Sequence, residues 1–112
     1  MFTASISVHH INFPQPQAAY NASKAGVAHL TGKLAAEWAA CGIQVNSIIP
    51  GYMNTVLNAA DSLKPIREMW AQHCPMAAWE LSQISRGAVV LLCSQRSRRY
   101  ITGADIIVDR RV

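Results

Sequence analysis

Apolar positions recur along the chain with two different periods, and the switches between them divide it into strands and helices. Residues 1–7, Met-Phe-Thr-Ala-Ser-Ile-Ser, are strand-compatible and run into a polar stretch holding Pro14 and Pro16, so a strand is predicted to end near Ser7. Over residues 18–41, Val27, Leu30, Thr31, Leu34 and Trp38 fall at spacings of three and four, which predicts a long helix with those side chains inward. Gly42 then supplies a natural left-handed stop. Residues 43–49 have the length and β-branched content of a buried parallel strand, ended by Pro50-Gly51. Strand, helix, strand is a βαβ unit, which crosses over right-handedly.

The second half of the chain repeats the alternation less regularly. Residues 54–78 read as one or two short helices with Ile66, Met69, Trp70 and His73 on one stripe, punctuated by Pro65 and Pro75. Residues 80–94 read as a helix with Leu81, Ile84, Ala88, Leu91 and Leu92 inward, residues 95–103 as a basic loop and residues 104–108 as the last strand. The expected architecture is α/β, with parallel strands near 1–7, 43–49 and 104–108 and main helices near 18–41 and 80–94. Within the first helix Ala25, Ala28, Ala35, Ala36 and Ala39 fit two readings. High helix propensity alone explains them, and small side chains also let another helix approach closely.

Bulk properties narrow the function. At 112 residues, 51% of them apolar, the chain has the size and core of one small domain. It contains no run of the ~20 apolar residues that span a bilayer and no signal-peptide pattern, which leads to the expectation of a cytoplasmic protein without a membrane partner. Cys41, Cys74 and Cys93 are odd in number and widely spaced, giving neither a disulfide framework nor metal-ligand pairs. His9-His10 lacks a second ligand pair, so no metal site is expected. The net charge of +4 is concentrated in Arg96, Arg98, Arg99, Arg110 and Arg111 without interleaved aromatic residues, which argues against nucleic acid as a partner.

The candidate chemistry lies in Tyr20-Asn21-Ala22-Ser23-Lys24. In a helix, Tyr20 and Lys24 share one face. An ammonium beside a phenol favours its ionised form, which suits proton transfer near neutral pH. Ser7, at the carboxyl end of the first predicted strand, stands where ligands bind in open α/β sheets. His73 reads as a packing or surface histidine, and the Met and aromatic stripe as core, as the inner side of a lid, or as both.

Serine, tyrosine and lysine at this spacing resemble the catalytic set of the short-chain dehydrogenase/reductase family. So do the run Ala19-Tyr20-Asn21-Ala22-Ser23-Lys24-Ala25-Gly26, the segment Gly42-Ile43-Gln44-Val45-Asn46-Ser47-Ile48-Ile49-Pro50-Gly51 and the segment Tyr100-Ile101-Thr102-Gly103-Ala104-Asp105. The Pro-Gln-Pro-Gln-Ala-Ala run before Tyr20 and Pro50-Gly51-Tyr52-Met53-Asn54-Thr55 resemble the fungal branch that reduces ketoses and oxidises polyols such as sorbose, arabinitol and mannitol. The resemblance implies a partial doubly wound, Rossmann-type parallel sheet with short lid helices. It implies hydride exchange between a nicotinamide cofactor, NADP(H) rather than NAD(H), and a small ketose, polyol or other carbonyl substrate. By the same resemblance Ser7 orients the substrate oxygen, Tyr20 moves the proton, and Lys24 lowers the phenol's pKa and holds the nicotinamide ribose. Pro50, Gly51 and Thr55 join Tyr20 and Lys24 as cofactor contacts, and the alanine-rich helix pairs subunits into homo- or hetero-oligomers. On its own residues, Gly51 reads equally well as a turn glycine.

The resemblance covers residues 1–112 only as the C-terminal half of such a domain. The glycine-rich turn that holds the cofactor pyrophosphate, and the asparagine that completes the proton relay, belong to the other half. Three positions depart from the family pattern: Val8 stands where glycine usually follows the serine, and Arg110 and Arg111 stand where two glycines usually follow Asp109. The expected function is therefore a truncated oxidoreductase, inactive as an isolated chain. The alternative is a non-catalytic interaction module that forms mixed oligomers with full-length relatives.

Overall fold

Strand β1 is Phe2–Thr3, helix α1 is Ala18–Trp38 and strand β2 is Ser47–Pro50. A short strand β3, Met53–Asn54, precedes helix α2, Lys64–Gln72; strand β4, Glu80–Leu81, precedes helix α3, Ser85–Cys93; and β5 is Asp105–Val108. These elements come from a computed structural model that describes residues 1–11, 13–72, 74, 80–81, 85–95 and 98–109. The features expected at His73, Pro75, Ile84, Arg96, Arg110 and Arg111 lie outside the described residues.

The main sheet is parallel throughout, in the order β1-β2-β5. Phe2 pairs with Ser47 and Thr3 with Ile48, while Ser47 to Pro50 pair in step with Asp105 to Val108. The α/β architecture and the parallel first pair are as the pattern predicts. The strands, however, are shorter than the pattern implies, because side chains take over the backbone's bonding at their ends. Ser5, in an extended conformation, accepts a hydrogen bond from the Ser7 amide at 3.3 Å and so caps a single 3-10 turn, Ile6–Val8. The first strand therefore stops at Thr3, and Ser7 sits on a turn beyond it. Asn46 does the equivalent work before β2. Its amide donates to the Ile101 carbonyl at 2.8 Å and accepts from the Ala104 amide at 3.0 Å, while the Val45 amide donates to Thr102 Oγ1 at 3.2 Å. Regular pairing begins only at Ser47.

Helix α1 ends as expected: Gly42 adopts φ 71° and donates its amide to the Ala39 carbonyl after one 3-10 turn, Ala39–Cys41. Its buried face differs from the predicted stripe. Thr31 and Ala35 are the buried residues, and Val27 and Ala28 pack on the core of Ala4, Ile6 and Ile49. Leu30 and Trp38, predicted inward, are 45% and 41% exposed. Small residues on the inner row let the helix lie close against the sheet, which turns the bulkier side chains outward. Thr31 meets its own polarity locally, donating Oγ1 to the Val27 carbonyl at 3.0 Å.

Of the helix predicted over 80–94, Ser85–Cys93 is helical. Glu80 and Leu81 instead pair in parallel with Met53 and Asn54 as a two-stranded ribbon, so their backbone bonds go sideways to β3 and not along a helix. Leu92 is buried, whereas Leu91 is exposed. Between Asn54 and α2 two 3-10 turns, Val56–Asn58 and Asp61–Leu63, lead into the lid helix, whose Pro65 sits in the first turn where its missing N–H costs little. Trp70 is the buried residue of α2. Helix α1 packs on β1 and the turn after it, and α3 packs on β2 and β5. No helix among the described residues is long and apolar enough to cross a membrane.

Candidate active site

The carboxyl ends of β1 and β2, the start of α1 and the lid helix α2 border a half-open cavity of about 320 Å³. Ser7 reaches it from the 3-10 turn after β1, Tyr20 from the first turn of α1, and Gly51 from the residue after β2. Three of the residues singled out from sequence thus line one cavity. Ser7 is buried, and its Oγ lies 3.0 Å from Ser5 Oγ, so the two hydroxyls form a pair whose position is fixed by the cap. Tyr20 is 44% exposed and leaves its ring accessible from the cavity side.

Lys24 follows one turn behind. Its Nζ lies 5.7 Å from the centroid of the Tyr20 ring, on the shared face that the four-residue spacing predicts, and donates to the Thr3 carbonyl oxygen at 3.0 Å. Lys24 does not itself line the cavity, and neither do Pro50 or Thr55. Pro50 closes β2, pairing with Val108. Thr55 is extended at the start of the Val56–Asn58 turn and makes no capping bond through its side chain.

Gly51 is explained by packing. Its φ is not positive, so no left-handed turn demands a glycine there, but a Cβ on it would collide with the Asp109 carboxylate at the end of β5. Its amide donates to the Val108 carbonyl at 3.0 Å, which holds the turn after β2 onto β5. The turn-glycine reading therefore gives way to one of close approach between two chain segments.

Sequence reasoning missed several residues of the cavity. Gln15, Gln17 and Asn58 add amides to the wall, and Tyr52 and Trp70 stack with ring centroids 4.0 Å apart and planes 19° from parallel. Two glutamines, each next to a proline and just before α1, are the visible signal. Trp70 belongs to the apolar stripe over residues 54–78 that reads as core or as the inner side of a lid, and it does line the cavity; only its stacking on Tyr52 has no signal in the sequence. Among the described residues no group of three or more His, Cys, Asp or Glu could hold a metal ion.

The family profile described as "Enoyl-(Acyl carrier protein) reductase" matches residues 1–110. The sorbose reductase of Schizosaccharomyces pombe is 46% identical over 110 residues, which is 97% of this chain and 42% of that protein. A short-chain type dehydrogenase/reductase from Mycobacterium marinum superposes with a TM-score of 0.88 at 39% identity, covering 96% of this chain and 41% of that one. The chain belongs to the short-chain dehydrogenase/reductase family. An NADP-dependent mannitol dehydrogenase of Hypocrea jecorina is also similar, 43% identical over 97% of this chain and 40% of that protein. A 4-hydroxyisoleucine dehydrogenase solved with NADH superposes at a TM-score of 0.84 with 32% identity, over 97% of this chain and 44% of that one. The chain thus spans about two-fifths of the length of the family members it matches.

Proposed function

We propose that these residues form the catalytic segment of an NADP(H)-dependent oxidoreductase that interconverts ketoses and polyols. The observation that carries this reading is the placement of Ser7 and Tyr20 on one cavity with the Lys24 ammonium behind the phenol. In this reading Tyr20 gives its phenolic proton to the substrate oxygen during reduction and takes it back during oxidation. Ser7, held by Ser5, donates a hydrogen bond that fixes the same oxygen, and Lys24 keeps positive charge beside the phenol. The buried wall formed by Trp70 limits water around the reacting atoms.

The residues fit the nicotinamide end of the cofactor: Gly51 brings bare backbone to the cavity beside Tyr20, with Lys24 next to the ring, Pro50 at the end of β2 and Thr55 at the start of the Val56–Asn58 turn. Bound there, NADP(H) supplies or accepts the hydride. NADP(H) is preferred over NAD(H) because mannitol dehydrogenases similar to the chain are named NADP-dependent. The six glycines stand singly in the sequence, at 26, 32, 42, 51, 87 and 103, so residues 1–112 offer no glycine-rich cradle for the pyrophosphate. Much of the barrier reduction in such reactions, up to ~7–11 kcal/mol, comes from holding both reactants in place. We therefore expect this chain alone not to turn over.

Association through the outer face of α1 belongs to the same reading and is supported by its exposed small residues, Ala25, Gly32 and Ala36. Ala28 is not part of that face, because it packs on the core. Ala36→Arg should block co-purification with a full-length relative while leaving the fold intact. A cytoplasmic, reducing setting is in keeping with Cys41, Cys74 and Cys93, none of which is joined in a disulfide. The chemistry is tested by fusing residues 1–112 behind the N-terminal part of a sorbose reductase and following NADPH loss with D-sorbose, D-fructose and mannitol as partners. Turnover that is lost in the Tyr20→Phe fusion supports the reading, and turnover that survives removes Tyr20 from the mechanism.

A further inference from the structure

The cavity holds a polar group that the proton chemistry does not use. Gln15 lines the wall that Ser7 and Tyr20 share, on the loop leading into α1. Its Oε1 is shielded from solvent and accepts no hydrogen bond from any described residue. A shielded amide oxygen without a donor costs free energy, so its retention beside a cavity needs a reason. The terminal torsion of a glutamine is broad and roughly two-fold, which lets either amide atom face the cavity without leaving its rotamer well.

The other walls limit what could supply the missing bond. A cavity of about 320 Å³ stands at the small end of the ~300–1,000 Å³ range of ligand pockets, which suits a small molecule. The stacked Tyr52 and Trp70 rings add apolar surface to the same lining. Asn58 is already committed, donating its Nδ2 to the Met53 carbonyl at 2.8 Å. A hydroxyl is the natural match for Gln15, because it donates to Oε1 and accepts from Nε2 of the same amide.

We propose that Gln15 is a specificity-determining residue: its amide binds a hydroxyl on a carbon flanking the reacting carbonyl, so that the site selects hydroxylated ketones over bare ones. The assignment rests on the reading of Ser7 and Tyr20 as the reacting end of the cavity, and it deepens that reading by naming the group that recognises the polyol. A site built to bond a hydroxyl discriminates against analogues lacking it, since they leave the amide unmet.

The test uses the chain as it is, isotope-labelled and without cofactor, titrated with D-sorbose and separately with cyclohexanone, a ketone without hydroxyls. D-Sorbose is expected to move the Gln15 side-chain amide resonance together with the backbone amides of Ser7 and Tyr20. In Gln15→Leu, affinity for D-sorbose is expected to fall about tenfold, the order of one net hydrogen bond, while affinity for cyclohexanone stays within about twofold. Equal weakening for both ligands, no weakening for D-sorbose, or a wild-type Gln15 amide that D-sorbose leaves unmoved overturns the assignment. The wild-type titration is decisive by itself even where the variant fails to fold. None of these outcomes bears on the role of Tyr20, which the fusion-enzyme assay decides by turnover.

Discussion

Lys24 Nζ donates to the Thr3 carbonyl oxygen at 3.0 Å, so the ammonium beside the Tyr20 ring is anchored by the last residue of β1. The charge that the proposed chemistry needs is therefore also a strut between helix and sheet. Lys24→Met should cost stability by about 1 kcal/mol through the lost hydrogen bond, read as a lowered midpoint in urea. In the fusion enzyme its turnover should drop further than that stability loss explains. A variant with unchanged midpoint would show that the strut is incidental.

Ser5 positions Ser7. Its side chain caps the turn that carries Ser7 and lies 3.0 Å from the Ser7 hydroxyl. Ser5→Ala is expected to cost about 1 kcal/mol, the usual value of such a cap, and to lower kcat in the fusion with little change in KM. Ser5→Thr, which keeps the hydroxyl, should restore most of both. A loss of stability with kcat unchanged would leave Ser5 a cap alone.

The contact between Gly51 and Asp109 joins the turn after β2 to the end of β5. Gly51→Ala forces a methyl group into the Asp109 carboxylate, and overpacking of this kind costs about 1–3 kcal/mol. Asp109→Ala in the same chain should recover part of that loss, giving a non-zero coupling in a double-mutant cycle. Strict additivity would place the origin of the glycine elsewhere.

Legibility from sequence followed the range of the forces involved. The extent of α1 and the pairing of Tyr20 with Lys24 rest on interactions between residues close in sequence, with Gly42 as a local stop, and both were readable. The ends of β1 and β2 were not, because Ser5 and Asn46 bond backbone groups in place of the sheet, and Asn46 does so to residues far along the chain. The apolar period placed Leu30 and Trp38 inward, but the close approach permitted by Ala28, Thr31 and Ala35 turned α1 so that its smaller side chains met the sheet. The β3–β4 pair is two residues long and joins distant segments, below what any period reveals. Of the residues lining the cavity, Ser7, Tyr20 and Gly51 are legible as motif residues and Trp70 as part of a core-or-lid stripe, whereas Gln15 and Tyr52 reach it only through the folding of the loop before α1 and the turn after β2.

The proposed proton transfer by Tyr20 is tested by single-turnover reduction of D-sorbose by NADPH in the fusion enzyme, comparing Tyr20→Phe with a Tyr100→Phe control. Tyr100 is fully exposed and does not line the cavity, so its variant should match the parent. Tyr20→Phe should slow the chemical step by about 10²–10⁴-fold, the usual worth of a positioned acid–base group, with substrate binding retained. A Tyr20→Phe enzyme that reduces D-sorbose at the parental rate would rule out Tyr20 as the proton donor.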